Sequence, residues 1–165
     1  MMVGRVIYED PKTQNMVPKD APVVLKVDHL NAGKMVKDVS FELHKGEILG
    51  FSGLMGAGRT ETARALFGAD PIDSGDIYIN GKKVDIKSPE DAVRNGIGYL
   101  SEDRKRYGIV VQKSVAENTS MATMEHFIEG HYFIDKKKSK KKVSQQYVES
   151  LATKTPNVDQ LVVNL

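Results

Sequence analysis

The sequence predicts an α/β fold, and three observations carry that prediction. A short, mostly apolar run, Glu47 to Ser52, leads directly into Gly53-Leu-Met-Gly-Ala-Gly-Arg-Thr60 and then into a segment of helical periodicity. Upstream, Val23, Val24, Leu25 and Val27 form a β-rich run, and Val39-Ser-Phe-Glu-Leu43 alternates with period two. Downstream, Asp76–Ile79 and Lys83–Ile86 flank Asn80-Gly81, the strongest short hairpin signal a sequence offers.

Taken in order, residues 1–20 hold Pro11 and Pro18 among polar residues without sustained periodicity, and read as a linker or tail. The β-rich runs follow from Pro22, and His44-Lys-Gly46 is a turn. Residues 47–52 read as a strand of the kind buried in a parallel sheet. In the next helix Ala63, Leu66 and Phe67 make an i, i+3, i+4 face, and Gly68 stands where a C-terminal cap belongs. Ser88-Pro-Glu-Asp91 starts another helix, with Ser88 as N-cap and Pro89 in the first turn, and Gly96 ends it. Ile97-Gly-Tyr-Leu100 is a further short strand. From Ser114 the chain reads as helical, with an irregular stretch near Gly130 and a lysine-rich helix from about Lys138 to Thr153.

Composition bounds the function without choosing it. At 165 residues, 40% hydrophobic and 28% charged, the chain matches an ordinary globular domain, enzyme or binding module alike. There is no cysteine, which excludes disulfides and cysteine-based zinc sites. No apolar run approaches the roughly 18–20 residues of a membrane span, so a soluble protein is expected. Net charge is +2, but Lys136, Lys137, Lys138, Lys140, Lys141 and Lys142 supply six of the positives, and the remainder would carry −4. No aromatic residue interleaves that run. It reads as a solvated helix end, and no nucleic-acid partner is expected. His29, His44, His126 and His131 show no metal-ligand spacing. Asn118-Thr-Ser120 matches a glycosylation pattern that matters only in a secreted chain.

Gly53–Thr60 has the form of a phosphate-binding loop. Glycines let backbone N–H groups turn inward around phosphates, and the helix that follows adds its N-terminal partial positive charge. Gly53, Gly56 and Gly58 supply that freedom, while Leu54, Met55 and Ala57 complete the loop. Thr60 is the candidate Mg²⁺ ligand and Glu61 closes the candidate nucleotide-binding segment. Arg59 stands where lysine is usual. Its guanidinium is always charged and forks onto phosphate oxygens, but it is bulkier and fits a different geometry.

Leu43-His-Lys-Gly-Glu-Ile-Leu-Gly50, Ser52–Glu61, Ser74-Gly-Asp-Ile77 and Tyr99-Leu-Ser-Glu-Asp-Arg-Lys-Arg106 together resemble one group. It is the second ATP-binding cassette of tandem-cassette bacterial monosaccharide importers of the ribose type. The resemblance runs from Val3-Gly-Arg5, similar to the linker leaving a first cassette, to Leu165. It implies a P-loop NTPase of the ABC cassette type, incomplete. Residues 1–20 would be linker, 21–112 the N-terminal part of the ATP-binding core with its antiparallel β-subdomain, and 113–165 part of the helical subdomain.

The same resemblance implies Mg²⁺ and ATP as ligands, with coupling of ATP hydrolysis to sugar import in the intact protein. The implied partners are the first cassette of the same polypeptide, transmembrane permease subunits and, indirectly, a periplasmic or extracellular sugar-binding protein. The implied location is peripheral, on the cytoplasmic face of the membrane. Glu102 takes the place of the glutamine that touches Mg²⁺ in the family, and Ser114–Asn118 resembles the start of the helical subdomain. The adenine-stacking aromatic expected between Leu30 and Val39 is missing, which leaves Met35 or Val36 for an apolar contact.

The Leu-Ser-Gly-Gly signature, the Walker B strand with its catalytic glutamate and the histidine switch do not occur before Leu165. No catalytic residue is therefore assigned, and this chain alone is expected to turn over little or no ATP. Without the rest of a parallel sheet, a marginal monomer or an edge-covering dimer is expected. Two other readings stay open: a regulatory nucleotide-binding module without turnover, and an unrelated P-loop kinase or GTPase.

Overall fold

The computed structural model describes residues 17–18, 20–129, 134–135 and 137–165. The described residues up to Tyr99 gather into one unit and those from Leu100 onward into a second.

In the first unit, strands β1 (Val23–Ala32), β2 (Val36–His44), β3 (Ser74–Ile79) and β4 (Lys82–Val84) form one antiparallel sheet in the order β2-β1-β3-β4. Helices α1 (Arg59–Leu66) and α2 (Pro89–Arg94) belong to the same unit. The core begins with the inward residues of β1, which are Leu25 and Val27 before a break in register and Leu30 and Ala32 after it. One extra residue moves the inward set from odd to even positions, as a bulge must. That residue is His29, at φ +54°. In β2 the inward set moves from Val36 to Val39 and Phe41, with Asp38 also at φ +54°. Ala65 and Leu66 of α1 pack on this face, and Ile77, Ile86 and Ala92 form an adjoining cluster with Phe67 and Ile97.

Local chemistry fixes the element ends. Asn80 and Gly81 both have positive φ, +49° and +75°, so β3 and β4 meet through the two-residue turn that the sequence predicts. At α2 the Ser88 hydroxyl accepts the Asp91 N–H at 3.2 Å, and the Asp91 carboxylate accepts the Ser88 hydroxyl at 2.9 Å and the Lys87 N–H at 3.1 Å. These bonds hold the Asp91 carboxyl below its ordinary pKa, the Ser88 hydroxyl contributing most. Gly68 follows α1 at φ +70°, and a β-carbon there would lie 2.6 Å from the Ser88 backbone, so only glycine fits. Arg64 reaches past this turn to Asp70 through two bonds of 2.7 and 2.6 Å, which lower the Asp70 pKa.

Two predicted strands are absent. Residues 47–52 and 97–100 carry no strand pairing, and Ile48 is 97% exposed and Leu100 94%. A strand of a parallel sheet needs neighbours on its backbone edges, and none lies beside either segment among the described residues. What anchors residues 47–52 is Phe51, whose ring meets Phe41 edge-to-face at 5.0 Å. Tyr99 likewise lies against Phe67 at 5.5 Å.

In the second unit, helix α3 (Val115–Met121) pairs with α4 (Lys137–Ser150), the buried Ser144 hydroxyl reaching the Ala116 carbonyl at 3.5 Å. The chain after α4 returns along the approach to α3. Val115 and Ala116 donate to the carbonyls of Gln160 and Val158, and Val162 and Val163 donate to those of Lys113 and Val111. A short antiparallel pair, β5 (Ile128–Glu129) with β6 (Ile134–Asp135), completes the unit. Arg104–Gly108 forms a single π-helical turn that sequence periodicity did not reveal.

Candidate phosphate-binding site

Residues Gly53 to Gly58 form a loop that runs directly into α1, whose first turn holds Arg59, Thr60 and Glu61. Leu54 accepts the Ala57 N–H at 3.1 Å, which closes the tip. A β-carbon on Gly53 would stand 3.0 Å from the Ala57 β-carbon, so the loop doubles back on itself. Gly56 and Gly58 hold the left-handed conformation, at φ +78° and +83°. Gly58 is the N-cap, and its carbonyl accepts both the N–H and the hydroxyl of Thr62 at 2.8 Å. The N–H groups of Arg59, Thr60 and Glu61 precede that first intrahelical bond, the position from which helix N–H groups face an anion.

The side chains divide by exposure. Leu54 is 86% and Met55 100% exposed, so the crown of the loop is apolar and open. Arg59 is exposed, and its Cδ and Nε lie 3.8 and 3.9 Å from where a Gly53 β-carbon would stand, so its stem curls back over the loop. It enters no ion pair among the described residues. Thr60 and Glu61 are half-buried, and Thr60 has a partner within the protein.

The β1–β2 turn backs the loop, through the Met35 carbonyl beside Gly58. Sequence reading placed an apolar contact for adenine at Met35 or Val36. Val36 is 0% exposed in the sheet core, so it is withdrawn from that role, while Met35 is 46% exposed. Glu102 is exposed, belongs to the second unit and has a partner of its own. No group of histidine, aspartate or glutamate side chains that could hold a metal occurs among the described residues. His44 is held by packing, its Nδ1 2.7 Å from the Ala21 carbonyl oxygen, and the side chains of His126 and His131 lie outside the described residues. Asn118 is fully used within the fold, its amide bridging the Val110 backbone and the Ser114 carbonyl.

The profile of the family described as ABC transporter matches residues 36–159, a span that includes the whole loop. The chain belongs to the ABC transporter family. Among curated relatives of this family, a Burkholderia lata protein named for ribose/galactose/methyl galactoside import ATP-binding is 49% identical over 163 residues, covering 97% of this chain and 31% of the relative. The ribose import ATP-binding protein RbsA of Clostridium tetani is 44% identical over 165 residues, covering 100% of this chain and 32% of the relative. The chain thus spans about a third of the length of the relatives it matches. A bacterial Atm1-family ABC exporter with ATP bound has the same fold, at TM-score 0.56 and 16% identity over 90% of this chain and 27% of that one. The ABC ATPase fold that the motifs predict is therefore the fold observed. No helix among the described residues is long and apolar enough to cross a membrane.

Proposed function

We propose that this chain is the phosphate-holding part of an ABC import ATPase and binds Mg-ATP through Gly53–Glu61. The observation that carries the proposal is the turn itself. Two left-handed glycines present the first-turn N–H groups of α1 at an open mouth beside an exposed Arg59 that enters no ion pair among the described residues. Thr60 is the proposed Mg²⁺ ligand on this loop, and Met35 the proposed apolar contact for adenine.

In the longer proteins that this chain resembles, the proposed setting is the second of two cassettes. It would lie on the cytoplasmic face of the membrane, where ATP hydrolysis drives import of a ribose-type monosaccharide through permease subunits supplied by a binding protein. The groups that would hydrolyse ATP are not assigned to this chain. A site that holds nucleotide without turning it over is favoured by Arg59, whose bulk shifts the cation relative to a lysine ammonium.

Calorimetric titration of the chain with Mg-ATP tests this reading. Saturable binding is expected, weakened at least tenfold by Arg59→Ala and changed much less by Arg59→Lys. Absence of saturable binding by the unaltered chain would overturn it, and a steady-state hydrolysis rate that Arg59→Ala abolishes would overturn the non-hydrolysing version.

A further inference from the structure

Two of the asparagines in this chain are followed directly by glycine, in Asn80-Gly81 and Asn95-Gly96. Such a pair carries a reaction of its own. The backbone nitrogen of the following residue can attack the carbonyl carbon of the asparagine side chain, and glycine, with no β-carbon, hinders that approach least. Asparagine counts among the thermolabile residues for this reason. The two pairs are alike in composition and unlike in their surroundings.

Asn95 is held by the helix it caps. Its side-chain amide donates to the Asp91 carbonyl at 2.8 Å, and its N–H is shared between the carbonyls of Asp91 and Ala92, both at 3.1 Å. The attacking atom is engaged as well, since Gly96 N–H donates to the Val93 carbonyl at 2.9 Å. Reaction there requires the last turn of α2 to open beside the buried Ala92. Asn80 and Gly81, by contrast, are both exposed at the tip of the β3–β4 hairpin. Among the described residues neither the Asn80 side-chain amide nor the Gly81 N–H enters a hydrogen bond, and nothing stands within 4 Å of where a Gly81 β-carbon would lie. The tip is tied by the Asn80 N–H, which donates to the Val24 carbonyl at 3.0 Å. Strand β4 is three residues long and ends the sheet, so Asn80 can leave its left-handed conformation and bring nitrogen to carbon once this short edge frays.

We propose that Asn80-Gly81 is a site of spontaneous covalent modification, deamidation through a cyclic imide, and that α2 protects Asn95-Gly96 from the same reaction. The Gly81 nitrogen bonds to Asn80 Cγ as its proton passes to solvent. The Cγ–Nδ2 bond then breaks, and ammonia leaves after taking a proton from water. Water next adds to one of the two imide carbonyls. Opening at the side-chain carbonyl leaves an aspartate at position 80, and opening at the main-chain carbonyl leaves an isoaspartate. The sum is asparagine plus water giving acid plus ammonia, with no change of oxidation state. The two products differ in consequence. Aspartate before glycine suits the same two-residue turn, so that product changes only the charge. Isoaspartate adds a methylene to the main chain between Ile79 and Lys82, the pair that closes the hairpin, and so breaks its register. Its exposed α-carboxylate is the group that an isoaspartyl methyltransferase recognises. The inference goes beyond nucleotide binding and does not depend on it, so either can fail without the other.

The test incubates the whole chain at mildly alkaline pH, folded and in urea, and follows tryptic peptides by mass spectrometry. In the folded chain the peptide holding Asn80 is expected to exchange amide for acid at least tenfold faster than the peptide holding Asn95. In urea the two rates should converge to within severalfold. Isoaspartyl methyltransferase with a radiolabelled methyl donor reads the isoaspartate directly. Asn80→Gly keeps a residue suited to the turn and has no amide to lose. It should remove most of the methyl acceptance, with circular dichroism matching the parent before incubation. Equal rates at the two sites of the folded chain overturn the inference, as does methyl acceptance undiminished in Asn80→Gly. A difference between the sites that persists in urea would overturn the protective role of α2 and place the cause in the flanking sequence.

Discussion

Gly58 lies so close to Met35 that a β-carbon on it would stand 2.8 Å from the Met35 carbonyl oxygen and 3.3 Å from the carbonyl carbon. The β1–β2 turn therefore fixes the depth at which the loop enters α1. Gly56, at nearly the same φ, has nothing within 4 Å of its would-be β-carbon. Both Gly→Ala changes impose a left-handed alanine, which costs about 1–2 kcal/mol. Only Gly58→Ala must also push backbone away from backbone. Urea unfolding should find Gly56→Ala destabilised by about 1 kcal/mol and Gly58→Ala by about 2–4 kcal/mol. Equal losses would mean that the Met35 approach is immaterial.

The parts of this fold that the sequence made legible are those that local chemistry decides. Asn80-Gly81 demands its turn, Ser88 demands its cap, and the glycines of Gly53–Thr60 demand a tight loop wherever it stands. The failures are non-local. Residues 47–52 have the composition of a buried strand, but a strand exists only where a neighbour supplies hydrogen bonds, and composition cannot say whether one does. Val36 and Met35 are adjacent in sequence and opposite in fate, because the register of β2 on β1 turns one inward. Period-two reading recognised Val39–Leu43 but not the extra residue at Asp38 that sets its parity. Arg104–Gly108 was visible as charge, whereas its π geometry depends on a bond from Asp103.

Residues 47–52 offer a sharp contrast in a single segment. Ile48 projects into solvent, while Phe51, 47% exposed, meets Phe41 edge-to-face. An edge-to-face pair is worth about 0.5–1.5 kcal/mol beyond the area it buries. Phe51→Ala should lower stability by about 1–2 kcal/mol, and Ile48→Ser should leave the unfolding midpoint unchanged while reducing binding of an apolar dye. A destabilisation by Ile48→Ser matching that of Phe51→Ala would show that the segment packs along its length.

His29 and Asp38, the two bulge residues, face each other across β1 and β2 with Nδ1 2.6 Å from the carboxylate oxygen. The Asp38 hydrogen bond is the largest of the influences that raise the His29 pKa above 6.5. The Asp38 and Asp28 charges add to it, and Lys26 opposes it weakly. A raised histidine pKa means that the protonated form favours the folded state. Its contribution is complete below about pH 6.5 and disappears as pH rises through the folded value. An NMR titration should place the His29 midpoint above 6.5, and Asp38→Asn should bring it back towards that figure. A midpoint at or below 6.5 in the unaltered chain would remove the clasp.

Glu117 gives the opposite pH dependence in the second unit. Its carboxylate accepts the Ser114 N–H at 2.9 Å, the Lys113 ammonium at 3.1 Å and the Ser114 hydroxyl at 3.0 Å, while the Ser114 hydroxyl accepts the Glu117 N–H at 3.2 Å. This reciprocal capping box starts α3, and its bonds to the charged form hold the Glu117 pKa down from 4.5 to about 2, the Ser114 N–H contributing most. A lowered carboxyl pKa means that the ionised form favours the folded state. The contribution is complete above about pH 4.5 and is lost as pH falls through about 2. Glu117→Gln keeps an acceptor but has no proton to take up. Thermal melting followed by circular dichroism should therefore lose stability for the unaltered chain between those pH values, with a shallower loss in the variant. Parallel acid profiles would place the acid-sensitive group elsewhere than the α3 cap.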